Sequence, residues 1–308
     1  MKTLTIGDEM SGVCDVYVFS PKNDAKAIVQ LYHGANEHYE RYQEMIDFLV
    51  NEDFIVVMHD QLGHGKRNQD KPTIHFGDQD GANKLLICAK NVRLYAKGIN
   101  PHLPLFAIAH SMGSIVLRAY MLEEKDLYDA IIFTGSPYIA KTKLRVAKRA
   151  MTLVKRFKGK SYVSPFFTKM MDKPCQMMKQ KGLIHDKVEW VTSDVQKQNM
   201  IKNDKCGNKP FTIQAQIDLV SLMQKAHDFS TLKQHASSHL IALLCGDEDA
   251  LCDYGDSIKK LANTFTKIGF THVKYRVYAN ARHELHNELI RPKVMRDMVT
   301  MLKQAVTI

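Results

Sequence analysis

Short apolar runs alternate with helix-like stretches along most of this chain, and this alternation limits the folds that it can adopt. Most of the runs are apolar without interruption, as expected for strands that are covered on both faces. The strand-like runs are Val13–Phe19, Ala27–Tyr32, Phe54–Met58, Leu105–Ala109, Ala130–Phe133, Leu240–Cys245 and Val273–Tyr278. The helix-like stretches are Arg41–Asn51, Asp80–Gly98, Ser114–Tyr120, Ser257–Ile268 and a final one from about Asn287. The sequence therefore predicts an α/β fold with a mainly parallel central sheet flanked by helices.

One segment, from about Tyr138 to Ser237, interrupts the alternation. It contains little strand pattern and is helical, basic and rich in methionine. We predict a core in two parts, residues 1–137 and 238–308, with residues 138–237 inserted as a helical cap over the carboxyl edge of the sheet. Flexible methionine side chains suit a surface that accepts variable acyl chains, and they equally suit the irregular core of a small domain.

The positive charge of the chain is concentrated in this segment. The net charge is +10, and residues 141–209 hold 18 Lys and Arg against five acidic residues, which leaves the rest of the chain near −3. An anionic lipid surface or a nucleic acid would complement such a segment. Because no zinc-finger spacing, aromatic-studded basic sheet or recognition helix is apparent, we favour a membrane over nucleic acid. A solvated face that keeps the protein soluble is the other interpretation.

The cysteines and the first residues predict a reduced, cytoplasmic environment. The six cysteines include no C-x-x-C pair, and several stand in apolar runs. The segment Met1–Glu9 contains too few apolar residues, and is too acidic, for a signal peptide. No apolar stretch approaches the roughly 20 residues of a transmembrane helix. We expect a cytoplasmic protein that contacts a membrane only peripherally.

The pentapeptide Ala-His-Ser-Met-Gly at residues 109–113 lies between a predicted strand and a predicted helix. This context is typical of a nucleophile elbow, in which a sharp turn lifts the serine hydroxyl clear of the sheet edge. Small residues at Ala109 and Gly113 avoid collisions with neighbouring backbone. An ordinary helix N-cap at Ser111 is the alternative that the pentapeptide alone leaves open.

A serine nucleophile needs a base and an orienting acid, which follow it in this fold in the order Ser, Asp or Glu, His. The run Leu240–Cys245 is followed by an acidic loop, and we assign Asp249 as the acid. Three neighbours are alternatives that the sequence does not rule out: Asp247, Glu248 and Asp253. The run Val273–Tyr278 is followed by His283, which we assign as the base, with His286 as its rival. The spacing of these two histidines is not H-E-x-x-H and no third ligand is near, so we expect neither a metal nor a cofactor.

The oxyanion that forms during acyl transfer needs two N–H donors held in place beforehand. One donor belongs to the residue after the nucleophile, Met112. The other is expected in the loop after the third strand, where His33–Glu37 stands, and we assign the Ala35 amide. His-Gly after a strand can also be an ordinary turn.

Five separated motifs span roughly Leu31 to Glu288, and they are His33–His38 with Arg41 and Tyr42, Asp60–Gly65, Ala109–Gly113, Gly246–Asp253 and Arg282–Glu288. A weaker sixth match, Glu189–Asp194 followed by Cys206 and Gly207, lies in the predicted cap. Together these motifs resemble the monoacylglycerol lipases and lysophospholipases of the α/β-hydrolase superfamily, within its S33 serine-aminopeptidase-like group.

The resemblance implies the triad Ser111, Asp249 and His283, with Ala35 and Met112 as oxyanion donors. It also implies that Glu37, Arg41 and His286 lie near a glycerol-like head group, that Cys252 lies close to the catalytic histidine, and that the cap forms an apolar tunnel often placed on membranes. Two residues depart from the family pattern, since Asn36 and Ala109 each replace a glycine. Asparagine tolerates left-handed backbone and alanine is a mild change, so we expect an active enzyme.

These observations predict a serine hydrolase that cleaves the ester of a monoacylglycerol or a lysophospholipid through an acyl-enzyme. The alternatives are a carboxylesterase, thioesterase or acyltransferase with other acyl substrates, and a non-catalytic lipid-binding protein.

Overall fold

The computed structural model of the protein describes residues 1–8 and 12–306. Residues 9–11 of the predicted first core part and 307–308 of the predicted second part lie outside the described residues. Within the described ranges, the strands are β1 (Lys2–Asp8), β2 (Gly12–Phe19), β3 (Ala27–Tyr32), β4 (Phe54–His59), β5 (Leu105–His110), β6 (Ala130–Thr134), β7 (Leu240–Gly246) and β8 (Val273–Tyr278).

These strands form one mixed sheet in the order β1-β2-β4-β3-β5-β6-β7-β8. The pairs β1–β2 and β2–β4 are antiparallel, and every pair from β4 across to β8 is parallel. The α/β fold with a mainly parallel sheet is confirmed. Because parallel strands all end at the same edge, the loops after β3, β5, β7 and β8 meet there.

The helices in the described part of the chain cover both faces of this sheet and form the insertion. They are α1 (Gln43–Asn51), α2 (Gly81–Ile99), α3 (Met112–Tyr120), α4 (Lys141–Lys158), α5 (Pro165–Met171), α6 (Lys173–Gln180), α7 (Val195–Lys202), α8 (Ile213–Lys225), α9 (Phe229–Leu232), α10 (Asp256–Lys267) and α11 (Arg291–Val306). Side chains of α2, α3 and α10 pack into the core on one face, and those of α1 and α11 pack into the core on the other. This double covering explains why the central strands consist mainly of apolar residues without polar alternation.

Helices α4 to α9 lie between β6 and β7, within the predicted insert. They build a small core of their own, which contains Leu144, Met151, Phe167, Ile213, Ile217 and Val220. Met178 is fully buried in another small cluster, whereas Met170, Met171 and Met200 are exposed. Some of the methionines therefore fill irregular cores and others face solvent.

One strand and the start of the last helix differ from the prediction. Lys2–Asp8 was not predicted as a strand, because it is an edge strand with only Leu4 and Ile6 partly buried. The last helix begins at Arg291 and not near Asn287, since a short 3-10 turn at Leu285–Asn287 precedes it.

Candidate active site

Ser111 lies at the sharp turn between β5 and α3, at the carboxyl edge of the sheet. Its backbone is in a strained region, with φ of 48° and ψ of −114°, and its amide donates to the Thr134 carbonyl over 2.9 Å. A Cβ atom at Gly113 would lie 2.6 Å from the Tyr32 carbonyl oxygen and 2.7 Å from that of His33. The close approach of α3 to β3 therefore requires glycine at this position. The turn presents the hydroxyl as a nucleophile elbow does.

Three side chains form one hydrogen-bonded chain at this edge. His283 Nε2 lies 2.9 Å from Ser111 Oγ, and His283 Nδ1 lies 2.9 Å from Asp249 Oδ2. All three side chains are buried. His283 can accept the serine proton on Nε2 while Asp249 holds the N–H group at Nδ1.

The geometry separates Asp249 from the other acids of its loop. The second carboxylate oxygen of Asp249 accepts the amides of Leu251 and Cys252 at 2.9 and 3.1 Å, which orients the first oxygen towards His283. The other acids are engaged elsewhere: Asp247 accepts the Ala281 amide, Glu248 pairs with Arg282, and Asp253 pairs with Lys260. Cys252 is buried behind Asp249 and its pKa is raised, chiefly by burial, so it is a thiol.

The charges of Asp249 and His283 favour the transfer of the Ser111 proton to His283. Burial disfavours the imidazolium, but the charge and hydrogen bond of Asp249 outweigh burial and raise the pKa of His283. Burial likewise opposes the Asp249 carboxylate, yet His283 and the hydrogen bonds at Cys252 hold the pKa of Asp249 below its ordinary value. His283 is therefore a stronger base than a free imidazole.

The loop after β3 is held in a defined shape next to Ser111. Asn36 adopts the left-handed conformation, with φ of 62°, in agreement with the prediction that asparagine tolerates this position. Its amide donates to His64 Nε2 over 3.1 Å, and the Gly34 amide donates to Glu37 Oε2 over 2.6 Å. Ala35 lies between these two anchored residues. Met112 occupies the first turn of α3, where amides have no intrahelical acceptor.

The predicted head-group residues, Glu37, Arg41 and His286, lie together in one largely buried cluster beside the hydrogen-bonded chain at Ser111. Glu37 accepts a hydrogen bond from Tyr42 over 2.6 Å, and Arg41 contacts Glu284 over 2.5 Å. The His286 ring stacks on Tyr42 with centroids 4.2 Å apart. Their role at a head group stays a prediction.

Sequence reasoning gave no role to several residues that surround His283. Trp190, from the insert, stacks on the His283 ring with centroids 4.8 Å apart. Glu288 accepts the Arg282 amide and the Ser193 hydroxyl, which ties the histidine loop to the insert. A Cβ atom at Gly135 would lie 2.8 Å from the His283 ring. Trp190 and Glu288 belong to motifs that the sequence already displayed, but Gly135 carries no local pattern.

Two groups of potential metal ligands occur among the described residues: His38, Asp204 and Cys206, and Glu37, Glu284 and His286. In each group, side chains already contact one another or a cation, as in His38 to Asp204 at 3.1 Å. Neither group contains Ser111, His283 or Asp249. Proton transfer along the chain of these three residues therefore does not use a ligand of either group.

The comparisons with known proteins agree with this geometry. The family model Hydrolase_4, described as serine aminopeptidase, S33, matches residues 23–290. The chain belongs to this family. It is similar to the mouse monoglyceride lipase, with 23% identity over 277 residues, which is 88% of this chain and 80% of that protein. It is also similar to the monkeypox virus monoglyceride lipase homolog, with 30% identity over 114 residues, but that match spans only 37% of this chain and 40% of the relative.

Among solved structures, a carboxyl esterase from Bacillus coagulans in complex with glycerol has the same fold. The TM-score is 0.87 and the identity is 25%, with 99% of this chain and 98% of that chain covered. This Hydrolase_4 chain thus has the α/β-hydrolase fold, and its relatives support a carboxylic-ester hydrolase. Among the helices of the described residues, none combines the length and apolar character needed to cross a bilayer.

Proposed function

We propose that the protein is a serine hydrolase that cleaves the carboxylic ester of a single-chain lipid, a monoacylglycerol or a lysophospholipid. The continuous chain Ser111–His283–Asp249 carries the proposal, because it is the arrangement that serine ester hydrolysis requires. Monoglyceride lipase relatives and an esterase neighbour crystallised with glycerol support a glycerol ester as the substrate class.

In the proposed mechanism, Ser111 Oγ attacks the ester carbonyl while His283 Nε2 takes the serine proton. The amides of Ala35 and Met112 stabilise the oxyanion, and one such donor contributes about 3 to 4 kcal/mol in related enzymes. His283 then donates the proton to the departing alcohol, which leaves an acyl group on Ser111. A water molecule that His283 deprotonates attacks this acyl-enzyme, and collapse of the second intermediate releases the fatty acid and returns the proton to Ser111.

Substitution of Ser111 tests the proposal directly. We expect Ser111→Ala to lower kcat by about 10⁶-fold, because the acyl-enzyme can no longer form. Hydrolysis should be measured on p-nitrophenyl esters and on a panel of monoacylglycerols and lysophospholipids. Retention of most activity by the variant would contradict the assignment of the nucleophile.

The Bacillus coagulans neighbour is a carboxyl esterase. We therefore take small soluble esters as the second class of candidate substrates. A chain-length profile separates the two candidates. Preference for short esters would support the second candidate, and a maximum at long acyl chains supports the lipid. Failure of a fluorophosphonate probe to label Ser111 in the wild-type protein would instead favour a non-catalytic lipid-binding protein.

We also propose that the insert contacts an anionic membrane from the cytoplasmic side through α4. Eight of the 18 residues of α4 are Lys or Arg, and none is acidic. Val146, Leu153 and Phe157 lie on one side of the helix and are 68%, 59% and 76% exposed, whereas Leu144 and Met151 face the core. An exposed apolar stripe beside cationic side chains is typical of helices that lie in the surface of an anionic bilayer.

A further inference from the structure

A cluster of ionisable residues joins the loop after β3 to the loop that carries His283. It consists of Glu37, Arg41 and Glu284, none of which takes part in the proton transfers at Ser111. Glu37 is 2% exposed and Glu284 is 3% exposed. Buried charged groups are costly unless they are paired, so each of these side chains is expected to have a fixed partner.

Glu37 holds the backbone of the proposed oxyanion loop. Its Oε2 atom accepts the Gly34 amide and the Tyr42 hydroxyl, both over 2.6 Å. Gly34 immediately precedes Ala35, whose amide is the proposed oxyanion donor. The Glu37 carboxyl therefore limits the direction in which the Ala35 amide points.

Arg41 contacts both loops with one guanidinium group. Its Nη1 atom donates to the Asn36 carbonyl over 3.2 Å, and its Nη2 atom lies 2.5 and 2.6 Å from the two carboxylate oxygens of Glu284. Asn36 follows Ala35 directly, and Glu284 follows His283 directly. A single side chain thus connects the neighbour of the oxyanion donor to the neighbour of the base.

The charges of the cluster balance without a bound ligand. Burial disfavours ionisation of Glu284, but Arg41 holds the pKa of that carboxyl below its ordinary value. Burial and the charge of Glu284 raise the pKa of Glu37, which favours its neutral form. The two contacts of Arg41 Nη2 with Glu284 pair one cation with one anion inside the protein, whereas the buried Arg41 Nε atom has no hydrogen-bond partner.

We propose that Glu37, Arg41 and Glu284 are positioning residues that hold the oxyanion loop and the histidine loop in register. This inference rests on the proposed hydrolysis at Ser111, and it replaces a head-group role for Glu37 and Arg41. Misplacement of one oxyanion donor should slow the chemical step with every ester, whatever alcohol it contains.

The test compares two substrates with the same acyl chain, a p-nitrophenyl ester and a glycerol monoester. For Glu37→Ala, we expect kcat to fall about 10- to 100-fold on both substrates while KM changes less than about twofold. Glu37→Gln keeps an oxygen that accepts the Gly34 amide, so it should retain most of the wild-type kcat. Arg41→Lys keeps the charge but loses the fork that contacts both loops, so it should lower kcat on both substrates.

A rise in KM confined to the glycerol ester, with normal kcat on the p-nitrophenyl ester, would overturn the proposal in favour of head-group binding. Equal activity of Glu37→Ala and wild type on both substrates would also overturn it. If Glu37→Ala does not fold, Arg41→Lys supplies the same comparison of kcat and KM. Failure of the proposed hydrolysis itself would be visible separately, as absence of activity and of fluorophosphonate labelling in the wild-type protein.

Discussion

At the scale of single residues, the candidate site depends on backbone conformations as much as on reactive groups. Ser111 has φ of 48°, and Asn36 has φ of 62°. The sequence predicted both positions, the first from the elbow pattern and the second from the tolerance of asparagine for left-handed backbone. It assigned Asp249 as the acid but left three acidic neighbours open as alternatives. Only the contact with His283 distinguishes Asp249 from them, because the two residues belong to loops that follow different strands.

The pH dependence of hydrolysis tests the assignment of Asp249 and His283. The base works only when it is neutral, so activity should rise as pH increases through the pKa of His283, which Asp249 raises above its ordinary value. Asp249→Asn removes this charge, so the acid limb of kcat/KM should move to lower pH while kcat falls by about 10⁴-fold.

Asp253→Asn is the matched control, because Asp253 belongs to the same loop but pairs with Lys260 at the surface. It should leave both the rate and the acid limb unchanged. An unshifted acid limb in Asp249→Asn, measured from pH profiles of both variants, would argue against this pairing.

At the scale of secondary-structure elements, apolar patterning predicted most of the sheet. The apolar runs from Ala27–Tyr32 to Leu240–Cys245, interrupted only by Gln30, form β3 to β7, since each of these strands is covered on both faces. The edge strand β1 lacks such a run and escaped prediction for that reason. Apolar patterning was also insufficient for the amphipathic helix α4, because its sequence does not reveal which of its apolar residues face the core.

Helix α4 should bind vesicles that contain phosphatidylglycerol, and binding should weaken as salt increases. Each Lys or Arg near such a surface contributes about 1 kcal/mol, so the double variant Arg149→Gln/Arg156→Gln should bind about 30-fold more weakly. Phe157→Ser should also weaken binding, because it removes an exposed apolar side chain. Vesicle co-sedimentation measures these effects.

Leu94→Ser is the matched control for Phe157→Ser, since Leu94 is 51% exposed but belongs to α2. It should bind as the wild type does. Equal binding of the wild-type protein to pure phosphatidylcholine vesicles would refute the role of charge.

At the scale of the whole molecule, close backbone contacts bring the acid loop and the histidine loop together. Gly246 ends β7, and a Cβ atom there would lie 1.8 Å from the Ala281 carbonyl oxygen. Asp249 lies a few residues after Gly246, and His283 lies a few residues after Ala281. The packing of the two loops therefore sets the distance between acid and base.

We expect Gly246→Ala to lower the free energy of unfolding by about 1 to 3 kcal/mol or more, since the backbone must shift to admit the methyl group. Gly98→Ala is the matched control, because Gly98 lies in α2 with no atom within 4 Å of its added Cβ. That control should stabilise the protein by about 0.5 to 1 kcal/mol. Denaturant unfolding of both variants measures the difference, and a Gly246→Ala variant as stable as the wild type would disprove the contact.

The sequence by itself determined the α/β fold, the position of the elbow, the order of the proposed nucleophile, acid and base, and the location of the basic segment. These follow from residue types and spacing along the chain, which local backbone physics converts into strands, helices and turns. The tertiary structure alone decided that Asp249 faces His283, that Arg41 joins Asn36 to Glu284, and that Trp190 covers the His283 ring. Each of these contacts joins residues far apart in sequence, so it exists only once parallel strands deliver their loops to one edge of the sheet and the insert packs against them.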